Sequence, residues 1–599
     1  CTNLFTNTLI EKCQTSFGEQ FWGFWMLGGM AGGGMGFIFD PGVRDSARDW
    51  LQTTMIEVKR EIEDAVPFAM DPVVYDFEIN ENGTTAELSD GGQMLSGYYA
   101  MMLPEWIRRG PEALSPQTRN QIRIVSEQCS ASPDGAMAKS LLQRMLPTSE
   151  STAAQTTQLD VLLQQNGFDP IAHEQLREDL KSGRLGMAQN RLADSVQVHD
   201  VNEGDVSQLR HGVPAAVVER GRAAIAAGEV AVVTLAAGAG SRWTQGAGVV
   251  KALNPFCRMG GRWRSFLDIH VAKCRKTAEE FGMRPQHVVT SGYLTDGPIR
   301  KAVSKLSPDE QVLISRGASV GLRMIPTVRD LMFTWEEMAQ QTLDVQQEKM
   351  RQSVRAALMK WARVTGEASD YTENLPLQCM HPVGHWYEVP NMLLNGTLLR
   401  MLNDRPQLRY LLLHNIDTLG ASLDPACLGL HLASGADLSF EVICRRLDDR
   451  GGGLARTDGR LRLVEGLAMP REEDEFGLTW YNSMTTWIDI TRLLEFFGLT
   501  VNDLSNQKVT EEAVRKAARR LPTYITLKDV KKRWGRGQED VFPVSQFEKL
   551  WGDMTAQSGL RSGFLGVPMG RGRQLKDPAQ LDGWLRDGSS AFVESLCRW

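Results

Sequence analysis

The stretch Leu235-Ala236-Ala237-Gly238-Ala239-Gly240-Ser241-Arg242 places small residues and a cation directly after an apolar run, and Lys251 follows nine residues beyond Arg242. The run, Val230–Leu235, reads as a buried strand. A strand that ends in small residues lets backbone N–H groups approach phosphate oxygens closely, and cations nearby neutralise them. Nucleotidyl transfer builds charge on the α-phosphate and on the departing pyrophosphate, so fixed cations there lower the barrier. The same residues equally describe a tight strand-to-helix turn with solvated cations. The loop has neither G-x-x-x-x-G-K-[ST] nor G-x-G-x-x-G, which removes a P-loop and weakens a dinucleotide reading.

Helices and strands must alternate around such a loop to position it. Val217–Ala227 reads as an Ala-rich helix ended by Gly228. Further strands are expected at His287–Thr290, Leu322–Ile325, Tyr410–His414, Leu438–Cys444 and Trp487–Ile490, with helical patterns between several of them. That alternation predicts an α/β fold with a mixed, mostly parallel, doubly wound (Rossmann-like) sheet over residues 211–500. Before it, residues 1–105 read as a small α+β unit. Its helix carries Leu51, Met55, Val58 and Ile62 on one face, and a strand Val73–Ile79 runs to a hairpin turn at Asn82-Gly83. Residues 106–210 read as a helical linker region, with the Ser/Thr-rich stretch Thr148–Gln158 as the linker itself. Residues 501–599 form a mixed C-terminal region that completes the site.

Composition narrows the partners. The 599 residues are 42% hydrophobic and 23% charged, with a net charge of −7, which argues against a nucleic-acid protein with its basic face. Nine scattered Cys with no C-x-x-C pair predict reduced thiols in a cytoplasmic protein and no zinc site. The apolar run Phe21–Met30 is too short and Gly-rich to span a membrane. Residue 1 is Cys rather than Met, as expected of a chain that is processed, trimmed or numbered from an internal point. The oligomeric state is not legible.

Ala224 to Arg242 resembles the UDP-sugar pyrophosphorylases, the family of UDP-glucose and UDP-N-acetylhexosamine pyrophosphorylases, whose pattern there is "A-x-G-K-V-A-V", a strand, "G-G-x-G-T-R-L-G" and then "P-K". Ala237, Ser241 and Val250 stand here for Gly, Thr and Pro. Further segments follow in the family's order. His287–Tyr293 is similar to its "M-T-S" strand end, His381–Trp386 to "P-P-G-H-G", and His414–Ala421 to "N-I-D-N-L-G-A". Arg445–Gly453 with Leu463-Val464-Glu465 is similar to "R-x-x-D-x-G-G" and "L-V-E-Y", Tyr481–Trp487 to "F-N-T-N-N-L-W", and Gln546-Phe547-Glu548 with Gly552 to a late "Q-L-E" and "G".

The resemblance implies an enzyme that joins UTP to a hexose 1-phosphate and releases pyrophosphate, with Mg²⁺ as cofactor. It implies nucleotide contacts from Ala236, Ala237, Gly238, Gly240, Ser291, Gly384 and His385, and sugar contacts from Asn415, Glu465 and Asn482. Arg242 and Lys251 are the expected catalytic cations. Asp417, after a strand end, suits a Mg²⁺ that bridges nucleotide phosphates, or else closes an Asx turn. His385 touches nucleotide or is a structural His packed by Trp386. A late Lys is expected at phosphate, from Lys528, Lys531 and Lys532. Lys528 is favoured because it follows an expected strand, Tyr524–Leu527, and a solvated basic patch is the alternative. No general base is required, since the attacking sugar phosphate is already an anion. The competing reading is a non-catalytic or regulatory relative that keeps the fold and binds nucleotide sugar. Val250, Trp386 and Met484, where the family has Pro, Gly and a second Asn, favour it.

Gly28–Gly36 with Phe37–Asp40 resembles the third motif of the GHMP sugar kinases, "G-A-G-x-G-G" before a strand, which implies a sugar kinase–pyrophosphorylase fusion as parent. The ATP motif "P-x-x-x-G-L-x-S-S" is absent, so no kinase activity is expected of this chain. Every transferase-like segment lies after residue 217, so the N-terminal unit is expected to be dispensable for that chemistry.

Overall fold

The computed structural model describes residues 3–27, 34–67, 69, 71–75, 102, 106, 114–130, 152–240, 243, 249–338, 345–446, 449, 451–535 and 538–599. Its centre is an eight-stranded sheet. In chain order the strands are β1 (Ser207–Gln208), β2 (Val230–Leu235), β3 (His287–Ser291), β4 (Val312–Arg316), β5 (Tyr410–Asn415), β6 (Leu438–Cys444), β7 (Trp480–Asp489) and β8 (Ser562–Gly566). Their order across the sheet is β1-β8-β6-β7-β5-β2-β3-β4. All neighbours are parallel except at β7, which runs antiparallel to both β5 and β6.

The apolar texture of β2 follows from its place. Ala231, Val233 and Leu235 pack into one buried cluster with Leu411, Leu413 and Trp386, while Val230 and Val232 pack into another with Ile225, Leu412 and Trp487. A strand covered on both faces has no solvent side to mark by alternation. The helix ahead of it spans Ala215–Ala226, and Gly228 turns the chain into the strand at φ 73°. Pairing of Tyr410–Asn415 with Val230–Leu235 in direct register brings the two strand ends level. Ligands of doubly wound sheets bind at that carboxyl edge.

The mixed, mostly parallel sheet expected from the sequence is present, and the strands expected at 287–290, 410–414 and 438–444 stand within a residue of their positions. Three details differ. The stretch read as a linker, Thr148–Gln158, holds the first half of a helix, Thr152–Gln165, whose Leu159 and Leu163 beyond that stretch are buried. The strand expected at Leu322–Ile325 is Val320–Leu322, because Met324 leaves it to bridge to Ser545 and Asp370. The strand expected at Trp487–Ile490 is the tail of the ten-residue β7, and Ile490 opens the next helix. The sheet also draws β1 and β8 from outside 211–500.

In the N-terminal unit, helices Leu4–Phe17 and Arg44–Glu61 flank an antiparallel pair, Phe21–Leu27 with Gly34–Phe39. Leu51 and Val58 are buried, as their spacing predicts. Residues 28–33 of the glycine run and the expected hairpin at Asn82-Gly83 lie outside the described residues. The unit is tied to the rest. Asp64 pairs with Lys301 at 2.8 Å, Val66 packs against the cluster of Val250 and Phe266, and Ala65 O accepts from Val250 N at 2.9 Å.

The C-terminal segment is anchored by charge. Arg571 reaches Glu441 of β6 with two nitrogens, each at 2.8 Å, and both side chains are buried. Glu441 also accepts from Trp487 Nε1 at 2.9 Å. Glu441→Ala leaves a buried guanidinium without its counter-ion. It is expected to lower the unfolding free energy by about 3–5 kcal/mol, read by chemical denaturation.

Candidate active site

The loop after β2 turns back on itself. Ala239 bridges to Val250, Gly240 N donates to Val249 O at 2.9 Å, and Lys251 therefore emerges beside the loop. Across from it, the chain leaves β5 through a turn in which Thr418 N donates to Asn415 O at 3.0 Å. Asp417 does not close that turn with its side chain. Its Oδ2 accepts from Lys251 Nζ at 2.5 Å, while its Oδ1 is buried with no partner among the described residues. The pair is largely buried, the side chains being 12% and 10% exposed, and Lys251 Nζ lies 5.6 Å from the centre of the Phe266 ring.

Other parts of the loop are already engaged. Ala236 N donates to Thr290 Oγ1 at 2.9 Å, so this N–H does not face a ligand. Thr290 in turn donates to Glu388, whose carboxyl also takes a hydrogen bond from the Ala237 backbone. Burial raises the Glu388 pKa to about 7, and those two hydrogen bonds oppose the rise. Gly238 and Ala239 are exposed. Ser291 is buried and donates to Asp296 Oδ1 at 2.6 Å, a structural bond at the end of β3. Arg242 lies outside the described residues.

A second half of the site gathers around Lys576. Leu575 N donates to Asp417 O at 3.0 Å, so Lys576 follows directly beside the Asp417 turn, with its Nζ 3.0 Å from Tyr481 Oη. Burial, helped by the Lys576 charge, lowers the His385 pKa to about 4. Burial raises Glu465 to about 8, the Asp553 carboxyl adds to the rise, and Lys576 opposes it. Lys576 therefore stands near both. His385 Nδ1 accepts from Trp551 N at 3.1 Å, which leaves the proton of a neutral ring on Nε2. Glu465 Oε1 is buried with no partner among the described residues, and a Cβ on Gly552 would sit 2.3 Å from it, so a larger residue there would displace the carboxyl. Gly384 adopts φ 97°, and a Cβ there would meet Lys549 O at 2.3 Å.

The structure thus brings Gly240 and Lys251 to Asp417, and His385 and Glu465 to Lys576. It does not bring Lys528 to either, as that residue is exposed on the hairpin Tyr524–Gly535/Gln538–Glu548 opposite Val544. Asn482 turns inward, its Oδ1 accepting from Met484 N at 2.9 Å to hold a residue at φ 61°. At Asn415 the observed contacts are those of its carbonyl. Sequence reasoning missed Lys576, which sits in an irregular Gln574–Pro578 stretch with no strand or periodicity to mark it, and Glu388, one step past the His385 motif. Val250 is also explained: a proline has no N–H, and the Val250 N–H is spent on Ala65 O.

These features define an α/β protein with a loop-built site at the carboxyl ends of β2 and β5. Residues 336–518 match the family model described as UTP–glucose-1-phosphate uridylyltransferase, a span that holds His385, Asn415, Asp417, Glu465 and Asn482 but not the loop, Lys251 or Lys576. UTP–glucose-1-phosphate uridylyltransferase of Saccharomyces cerevisiae is 31% identical over 142 residues, which cover 22% of this chain and 28% of the yeast protein. Among solved structures, a mutant of Leishmania major UDP-glucose pyrophosphorylase in complex with UDP-glucose is 17% identical, with TM-score 0.46 over 72% of this chain and 78% of that one. A Trypanosoma brucei UDP-glucose phosphorylase is 16% identical, with TM-score 0.45 over 72% and 77%. No helix among the described residues is long and apolar enough to cross a membrane.

Two measurements test this geometry. Val250 has φ −73°, close to the about −65° of proline. Val250→Pro is therefore expected to fold but to lose about 1–3 kcal/mol, because Ala65 O is left unpaired. An unchanged unfolding midpoint would deny that contact any weight. Glu465 titrates at about 8 in the fold against an ordinary 4.5. Its contribution to stability is complete below the ordinary value and is lost as pH rises through about 8. Glu465→Gln is expected to flatten the corresponding fall of the unfolding midpoint over about pH 5–8.

Proposed function

We propose that the chain is a UTP-dependent sugar-1-phosphate uridylyltransferase. The observation that carries this reading is the Lys251–Asp417 pair, held beside a small-residue loop at the carboxyl edge of a doubly wound sheet. The match of residues 336–518 to the uridylyltransferase model supports UTP as the nucleotide and a hexose 1-phosphate as its partner. In the reaction, a phosphate oxygen of the sugar 1-phosphate bonds to the α-phosphorus of UTP. The bond from that phosphorus to the bridging oxygen breaks, and pyrophosphate leaves with the electron pair. The nucleophile is an anion already, so no side chain has to take a proton.

Lys251 and Arg242 are assigned to the triphosphate, and Lys576 takes the late phosphate role first given to Lys528. Gly238 and Ala239 offer an exposed part of the loop. Glu465, whose Oε1 has no partner among the described residues, and His385, whose Nδ1 is taken by Trp551 N, are assigned to the sugar and nucleotide as hydrogen-bonding groups. Among the described residues no group of three or more His, Cys, Asp or Glu stands ready to cage a metal. An open site suits Mg²⁺, which is held by one or two carboxylates together with substrate phosphates, and Asp417 Oδ1, with no partner among the described residues, is the oxygen that fits. Bound there, the ion would neutralise charge on the phosphates.

The test is pyrophosphate release from UTP, Mg²⁺ and a panel of hexose 1-phosphates. Lys251→Ala and Asp417→Asn are each expected to lower turnover by about 10²–10³ with the fold kept, and Asp417→Asn to shift the Mg²⁺ titration. Turnover near wild type in both variants would mean that the phosphate site lies elsewhere. Binding of UDP-sugar with no pyrophosphate release would assign the chain to the non-catalytic class.

A further inference from the structure

Helix Phe266–Phe281 runs beneath the turn that carries Asp417, and three of its residues, Phe266, His270 and Lys273, recur at steps of four and three on one face. The Phe266 ring lies under Lys251 Nζ. His270 Nε2 is 2.8 Å from Ile416 O and donates to it. Lys273 Nζ donates to Leu419 O at 2.8 Å and to Ala421 O. One helix face thus meets the cation of the pair and the backbone on both sides of its carboxylate. The helix is itself fixed at its start by a capping box between Ser265 and Asp268.

Lys273 is unusual for its surroundings. It is 5% exposed, its bonds are to carbonyls rather than to an acid, and burial lowers its pKa to about 7. Burying an ammonium is costly unless it is hydrogen-bonded. An alkyl side chain would pack there without that cost, but would leave two turn carbonyls without donors. No strand neighbour takes those carbonyls, since the chain has left β5 at Asn415. A shift of about 1 Å in a positioned group is enough to cost about 10² in rate.

We propose that Lys273, with His270, is a positioning residue that fixes the 416–421 turn so that Asp417 holds Lys251 with one oxygen and presents the other. Neither side chain touches substrate. The kinetic part of this inference rests on the transferase reading, and the structural part does not.

The experiment uses the full chain with Lys273→Met, which keeps the length and removes the donors, and His270→Phe, which removes the second contact. Pyrophosphate release and amide hydrogen exchange are measured on the same preparations. Lys273→Met is expected to lower kcat by about 10² with KM for UTP little changed. The amides of Thr418 and Ala421, bonded to Asn415 O and Thr418 O, are expected to exchange faster while Val230–Leu235 keeps its protection. Wild-type kcat together with wild-type exchange overturns the proposal. So does a loss of protection spread over the whole sheet, which marks a merely structural side chain. If Lys273→Met does not fold, His270→Phe carries the same comparison. A wild-type chain that releases no pyrophosphate removes the transferase reading alone, and exchange at residues 416–421 then decides the positioning role.

Discussion

Lys251 and Asp417 lie 166 residues apart in the chain and 2.5 Å apart in space. The distance is set by backbone. Strands β2 and β5 pair in direct register, each ends at the same level, and one segment returns to Ala239 while the other turns at Thr418. Cations gathered for a triphosphate repel one another when no phosphate is present. On the proposed reading, Asp417 neutralises Lys251 in that state, in surroundings where an unpaired ammonium would be costly. Its second oxygen has no partner among the described residues, so the same carboxylate is ready for a cation that arrives with the nucleotide.

The rest of the molecule braces this pair from several sides. The helix beneath supplies Phe266, His270 and Lys273. The C-terminal segment supplies Leu575, which holds the Asp417 carbonyl, and it is itself held to β6 by the buried Arg571–Glu441 pair. The N-terminal unit supplies Ala65, whose carbonyl takes the N–H next to Lys251. That unit looked separable in sequence, because none of the transferase-like motifs lies within it. In space it touches the segment that leads into Lys251.

The sequence disclosed what depends on local pattern. The buried strand Val230–Leu235, the loop after it, the strand and turn ending in Asp417, and the motif at Gly384-His385 could all be read because composition and order mark them. Non-local placement was not legible. Lys528 follows an expected strand and looked like a phosphate ligand, yet it lies on a two-stranded hairpin separate from the central sheet. Lys576 has no regular element around it, and contacts such as those of Leu575 and Tyr481 reveal its place. Ser291 and Asn482 are polar residues in the right motifs, but their side chains are spent inside the fold, on Asp296 and Met484. Nothing in the residue types tells a hydrogen bond to ligand from one to a neighbour. The helix Thr152–Gln165 was hidden by Ser and Thr at its start, where composition suggested a linker.

The position of β8 has a consequence for how the chain is made. β8, residues 562–566, lies between β6 and β1, so two strands far earlier in the chain wait for it. A ribosome delivers residues in order, and domains commonly fold from the N-terminal side as they emerge. Here the mixed core from β2 to β7 can assemble early, but the edge of β6 stays bare until residues 562–566 have left the tunnel. An unpaired apolar edge is a template for mispairing. Nascent chains therefore pass through a stage in which an apolar strand edge of the central sheet is made but not yet covered.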